Sequence, residues 1–195
     1  MTLAIVLVVA YLLGSFPTSY IVVHRMTGRD IRDLGSGNPG TMNVLDSVGA
    51  RSALIVGSTD IAKGAAAVGL AYLAGVGDVG AVAAGLAAVA GHDFSLFLRF
   101  DGGNGTAPAT GALYALAPLA GLLATIGAVT IYLLFRSRRP AGTAGLVMLA
   151  PIAYTLDEPN ARVAGAVLLV VVTMVKIGLA EGFSLASRRQ GSRIP

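Results

Sequence analysis

Long apolar runs, broken by Gly and Pro and separated by short polar intervals, make up most of this chain. A backbone surrounded by hydrocarbon finds no water to hydrogen-bond. Only helices and closed barrels satisfy it there, and runs near the ~20 residues of a bilayer crossing select helices. The 195 residues are 55% apolar and 12% charged, with a mean hydropathy of +0.76, far from the balance of a soluble domain. The expected fold is therefore an all-α integral membrane protein, one domain over residues 1–195. Small residues recur through stretches such as 75–91, GVGDVGAVAAGLAAVAG. They let helix backbones approach closely, so the helices should form a compact bundle.

Hydropathy divides the chain into seven expected spans, at about 3–23, 53–73, 79–90, 106–117, 119–135, 144–156 and 161–179, with polar loops at 24–52 and 91–105. The stretch 106–135 is too long for one crossing and carries Pro118 and Gly121 at its middle, which suggests a tilted or partly re-entrant pair. With the N-terminus outside, the inner face receives Arg25, Arg29, Arg32, Arg51, Arg99, Arg136, Arg138, Arg139, Arg188, Arg189 and Arg193. The outer face receives Arg162 with Asp78, Asp157 and Glu158. The excess of positive charge on cytoplasmic loops selects this topology, so both glycine-rich loops should face the cytoplasm.

Cysteine is absent, which excludes disulfides, thiolate metal sites and a thioester intermediate. No Lys or Arg precedes Arg25, so the first apolar run lacks the basic head of a secretory signal and is expected to stay attached. The pI near 9.8 does not indicate a nucleic-acid partner, because the basic residues sit at span ends.

Chemistry is concentrated in three places. The interval 29–46, RDIRDLGSGNPGTMNVLD, packs Gly35, Gly37 and Gly40 around Ser36, Asn38 and Pro39. Its backbone can turn tightly and present amides to an anion, although such clusters also serve as ordinary turns. Asp60 and Lys63 lie three residues apart within the second span. Ionisable groups there face an interior and find a partner, as a structural pair or as part of a polar site. The loop 91–105 supplies His92, Asp93, Arg99 and Asp101, then Gly102, Gly103, Asn104, Gly105 and Thr106 at the start of the next helix, where an anion is favoured. GGNGT has no Gly-Lys-Ser or Gly-Lys-Thr continuation, so it is not a Walker loop, and GSGNPG does not end a strand.

In order and spacing, LGSFPTSY at 13–20, DIRDLGSGNPGTMN, DIAKG and GHDFSLFLRFDGGNG resemble the motifs of the PlsY-type glycerol-3-phosphate acyltransferases. The resemblance covers roughly 13–106. It implies a seven-helix enzyme of phospholipid synthesis in the cell membrane, with a cytoplasmic-facing site. Such an enzyme moves an acyl group from acyl phosphate to the 1-hydroxyl of glycerol 3-phosphate, giving lysophosphatidic acid. The resemblance places Ser36, Gly37, Asn38 and Asn43 in the first motif of the site, Asp60 and Lys63 in the second, and His92, Gly102, Gly103 and Gly105 in the third. Ser36, Asn38 and His92 are the candidate catalytic residues, and Arg32, Gly40, Asn104 and Thr106 join the remaining motif residues as candidates for binding the substrates. Neither cofactor nor metal is expected.

The chain also departs from the family pattern. Asp46 and Asn104 stand where that pattern has an arginine and a lysine, and TMVKIGLAEGFS replaces its usual C-terminal run, keeping Lys176, Glu181 and Gly182 in shifted positions. Replacing phosphate-binding cations changes the electrostatics by a few kcal/mol in a desolvated site. Three readings follow. One is a membrane acyltransferase, with the family's substrates or an altered donor or acceptor. Another is a noncatalytic relative that binds lipid or a membrane-protein partner. The third is a small transporter, for which no inverted repeat is visible.

Overall fold

The computed structural model describes residues 2–191, with the side chains of Arg139 and of residues 180–191 outside that description. Arg193 and the side chains of Glu181, Arg188 and Arg189 therefore lie outside the described residues. Among the described residues there are nine α-helices and no strands. They are α1 (Leu3–Ser15), α2 (Thr18–Thr27), α3 (Thr41–Ser47), α4 (Ala50–Leu73), α5 (Gly77–Asp93), α6 (Thr106–Leu116), α7 (Pro118–Phe135), α8 (Arg138–Thr155) and α9 (Asn160–Gly191).

The first apolar segment is two helices rather than one. Pro17 lacks an N–H and cannot continue α1, so the chain breaks at Phe16 and Pro17 before α2 begins. Gly28, at a left-handed φ of 72°, closes α2 and sends its N–H to the His24 carbonyl at 2.9 Å. Both polar intervals hold more helix than their composition suggests. The interval 24–52 contains the end of α2 and all of α3, while α5 runs on to Asp93 inside 91–105.

Five stretches are long and apolar enough to cross a membrane: Leu3–Thr27, Ala50–Leu73, Gly77–Leu98, Pro118–Phe135 and Asn160–Leu179. α6, with 11 residues, rises only about 16 Å, roughly half the hydrocarbon thickness. Pro118 at the first position of α7 follows Leu116 after a single residue and turns the chain back. The Tyr114 hydroxyl meets Thr125 Oγ1 across this hairpin.

Within lipid the apolar effect does not press one helix against another, so dispersion and close backbone approach must hold the bundle. α4 packs along α6 and α5, α1 lies along α5, α7 along α8, and α9 covers α5, α6 and α8. The buried core of the bundle consists largely of Ala, including Ala67, Ala84, Ala88, Ala109 and Ala112, with a smaller share of Leu and Val. Two crossings rest on reciprocal glycine contacts. A Cβ on Gly64 would overlap the Pro108 carbonyl of α6, and one on Gly111 the Ile61 carbonyl of α4. Gly14 meets Ala88, and Gly91 meets Tyr11, in the same way between α1 and α5.

The two crossings place the loop after α2 and the loop after α5 at one end of the bundle. At the opposite end, Asp78 accepts from Arg162 Nε at 2.8 Å and from the Tyr72 hydroxyl at 2.9 Å, and Arg162 also reaches Glu158 at 3.1 Å. This cluster pins α9 to the turn between α4 and α5. Gly64→Ala is expected to destabilise the protein by about 1–3 kcal/mol through overpacking. Gly69→Ala on the same helix, with nothing within 4 Å of the added Cβ, is expected to stay within about 1 kcal/mol of the parent. Thermal unfolding in detergent checks both.

Candidate functional site

The site is built on the helix break. Opening the chain at Phe16 turns its carbonyl toward Lys63 of α4, which donates to it at 2.5 Å beside the Thr18 N–H at 3.0 Å. Lys63 also pairs with Asp60 at 2.6 Å, and the two side chains are only 6% and 2% exposed. The i, i+3 spacing puts them on one face of α4, and together they satisfy each other where a single charge would be costly. His92, at the end of α5, brings Nδ1 to 4.0 Å from the same Asp60 oxygen. Gly103 lies against His92 Nε2 so closely that a Cβ would overlap the ring.

The first glycine loop is organised by Asn43. This side chain is buried, and its Oδ1 accepts from the Ser36 N–H at 3.0 Å and from the Ser47 hydroxyl at 3.2 Å. Its Nδ2 donates to the Ile31 and Leu34 carbonyls at 3.2 and 2.9 Å. The side chain thus does for this loop what a ladder does for a strand. Gly37 adopts a left-handed φ of 76°, and its N–H closes a turn on the Leu34 carbonyl at 2.9 Å. Ser36 is exposed and Asn38 half-buried, with the Gly40 Cα packed on the Asn38 amide.

Arg32 joins the two loops. It holds Asp30 at 2.7 Å within its own loop, and across the gap it donates to the Leu98 carbonyl at 3.2 Å and to Asp101 at 3.4 Å. The paired guanidinium keeps the Asp30 carboxyl below its ordinary value of 3.8. Because these protein groups occupy it, Arg32 acts as a latch.

In the second loop the Gly102 and Gly103 amides are also occupied. They donate to the Asp93 and His92 carbonyls at 3.2 and 3.1 Å, completing the C-terminus of α5. The amides of Asn104, Gly105 and Thr106 at the start of α6 have no protein acceptor among the described residues. Asp46 is exposed on α3.

Motifs scattered along the sequence converge at one small cleft. Gly14, Ser15, Phe16, Pro17 and Ser19 of the helix break, Pro39 of the first loop, and His92, Ser95, Leu98 and Gly103 of the second enclose about 10 Å³, the room of a single water. The buried hydroxyls of Ser15 and Thr18 have no protein partner, and Ser95 donates to the Ser15 carbonyl at 2.5 Å. None of these break residues stood among the expected site residues. Pro17 inside an apolar run was the available signal.

A second, larger groove of about 460 Å³ runs between α6, α7 and α8. It is lined by apolar side chains together with Thr110, Tyr114, Thr125, Tyr132 and Arg138.

A family profile described as glycerol-3-phosphate acyltransferase matches residues 4–180. The chain belongs to that family. It is 40% identical over 180 residues to glycerol-3-phosphate acyltransferase 3 of Dehalococcoides mccartyi strain CBDB1, covering 84% of this chain and 79% of the relative. It is 49% identical over 114 residues to glycerol-3-phosphate acyltransferase 2 of Moorella thermoacetica, covering 58% of each. The crystal structure of PlsY, an integral membrane glycerol 3-phosphate acyltransferase, in its glycerol 3-phosphate form superposes with a TM-score of 0.84 at 26% identity, over 95% of this chain and 93% of that one. The form with lysophosphatidic acid gives 0.82 at 25%. This acyltransferase is thus a multi-pass membrane enzyme with the PlsY fold.

Two expectations follow for the acyltransferase. Asn43→Asp keeps the acceptor but removes the donor to two carbonyls, and is expected to lower stability by about 2–4 kcal/mol; the unfolding midpoint checks it. A carboxyl whose folded value is lowered stabilises fully above its unfolded value and loses that contribution as pH falls through the folded one. The gap in unfolding midpoint between the parent and Asp30→Asn is therefore expected to be constant at neutral pH and to close below about 3.8.

Proposed function

We propose that this acyltransferase moves an acyl group from acyl phosphate to the 1-hydroxyl of glycerol 3-phosphate. The observation that carries this reading is the convergence of His92, the Asp60–Lys63 pair, the Phe16 break and both glycine loops at one end of the bundle. The glycerol 3-phosphate and lysophosphatidic acid forms of the PlsY neighbour supply the corresponding acceptor and product.

In this reading His92 holds the acceptor hydroxyl and takes its proton. The hydroxyl oxygen attacks the acyl carbonyl, the bond from carbonyl carbon to phosphate oxygen breaks, and inorganic phosphate leaves. Acyl phosphate is already activated, so the protein's task is orientation and charge stabilisation. Asp60 orients His92, with Lys63 neutralising the carboxylate. Asn38 and Ser36 contact the substrates from the first loop. Gly37, Gly40 and Asn43 shape that loop, and Arg32 ties it to the second. The free amides of Asn104, Gly105 and Thr106 receive a phosphate at the N-terminus of α6, behind Gly102 and Gly103. The groove between α6, α7 and α8 takes the acyl chain, since Thr110 on its wall lies one helical turn beyond Thr106.

We further propose that residues 1–195 form one domain in the cell membrane, with the N-terminus outside and the site facing the cytoplasm. Support comes from charge: Arg25, Arg29, Arg32, Arg51, Arg99, Arg136 and Arg138 occur at the end that carries the glycine loops, against Arg162 with Asp78, Asp157 and Glu158 at the other.

The purified protein is expected to transfer palmitoyl from palmitoyl phosphate to labelled glycerol 3-phosphate. His92→Ala is expected to lower kcat by about 10²–10⁴-fold with its unfolding midpoint retained. Absence of transfer by the parent protein, or transfer undiminished in His92→Ala, overturns the assignment.

A further inference from the structure

A site that handles two phosphate-bearing substrates needs a cation able to give charge-assisted hydrogen bonds, and the site's own cations are committed elsewhere. Lys63 gives two of its three N–H donors to Asp60 and the Phe16 carbonyl, and its charge is paired with Asp60. Arg32 is held by Asp30, Asp101 and the Leu98 carbonyl. Within the second loop the charges are Asp93, Arg99 and Asp101, and Arg99 is exposed at a left-handed φ of 56°.

One more cation reaches this end from a different element. Lys176, on α9, places Nζ 4.4 Å from the centre of the Phe94 ring. Phe94 is the second residue after His92, and its carbonyl is fixed by the Tyr11 hydroxyl at 2.6 Å. The ring therefore holds the ammonium at the C-terminal end of α5, the end that carries His92 and Asp93. A ring face attracts a cation without accepting a conventional hydrogen bond. Among the described residues Lys176 has no carboxylate or carbonyl partner, so its three N–H donors stay available.

We propose that Lys176 is a phosphate-binding residue of this enzyme. α9 delivers a further cation to the His92 end of the site, beside Arg32 and Arg99 of the glycine loops, and the Phe94 ring is its resting place between turnovers. This rests on the acyl-transfer reading for the identity of the substrate. Its ligand chemistry is a phosphate monoester or inorganic phosphate.

The test uses the full chain in detergent with Lys176→Met and Lys176→Arg. Lys176→Met is expected to raise the KM for glycerol 3-phosphate, and the inhibition constant of inorganic phosphate, by roughly 10- to 100-fold, with kcat changed far less and the unfolding midpoint retained. Lys176→Arg, which keeps the charge, is expected to restore most of both. Independently of turnover, inorganic phosphate should raise the unfolding midpoint of the parent protein and fail to do so in Lys176→Met. If the parent is stabilised by phosphate through Lys176 but does not turn over palmitoyl phosphate, the acyl-transfer reading fails and the phosphate site stands. An unchanged KM and unchanged phosphate inhibition in Lys176→Met overturn the proposal, as does a loss in Lys176→Met that accompanies a lowered midpoint and is not rescued by Lys176→Arg.

Discussion

Burying a carboxylate and an ammonium inside a membrane bundle is tolerable only when each satisfies the other and the remaining donors find acceptors. The Asp60–Lys63 pair meets that condition through Phe16, whose carbonyl takes a second Lys63 donor because Pro17 has interrupted the helix. The break in the first apolar segment and the pair in α4 therefore depend on each other. Without the break Lys63 loses its second acceptor, and without Lys63 the Phe16 carbonyl keeps only the Thr18 N–H. His92 sits on the third side of this unit at 4.0 Å from Asp60, so the ring's place is set by a charge pair that was already needed for the fold.

Small residues make that arrangement rigid. At the reciprocal contacts of Gly64 with Pro108 and Gly111 with Ile61, backbones meet without side chains between them. Sliding either helix would drive atoms into overlap. The same holds for Gly14 and Gly91 between α1 and α5. The loops that make the site hang from the ends of these four helices, so their separation is determined by backbone contact rather than by long, mobile side chains. At the far end, Asp78, Arg162, Glu158 and Tyr72 hold α9 in place, which in turn settles where Lys176 arrives.

Residue identities in the motifs were legible, but their division of labour was not. Asn43 reads in the sequence as one more polar group for a substrate, yet it spends both ends of its amide on the loop's own backbone. Arg32 reads as a free cation and is a latch between loops. Gly102 and Gly103 read as open amides and instead finish the hydrogen bonding of α5, because the last carbonyls of a helix need donors. Each of these cases turns on a partner distant in the chain, as with Arg32 and Leu98.

The sequence by itself determined that this is a helical membrane protein, because hydrocarbon leaves the backbone no alternative. The order and spacing of its motifs also determined the family, since the types of residue that can turn tightly, pair in lipid or meet a phosphate are few. Only the tertiary structure decided which of those residues face the cleft and which support it, that Pro17 opens the first helix toward Lys63, and that Lys176 comes to rest on Phe94. Those outcomes depend on how far apart two helices sit and how they are turned about their axes. Glycine contacts and buried charges set both quantities jointly over the whole bundle, and no local stretch of residues contains them.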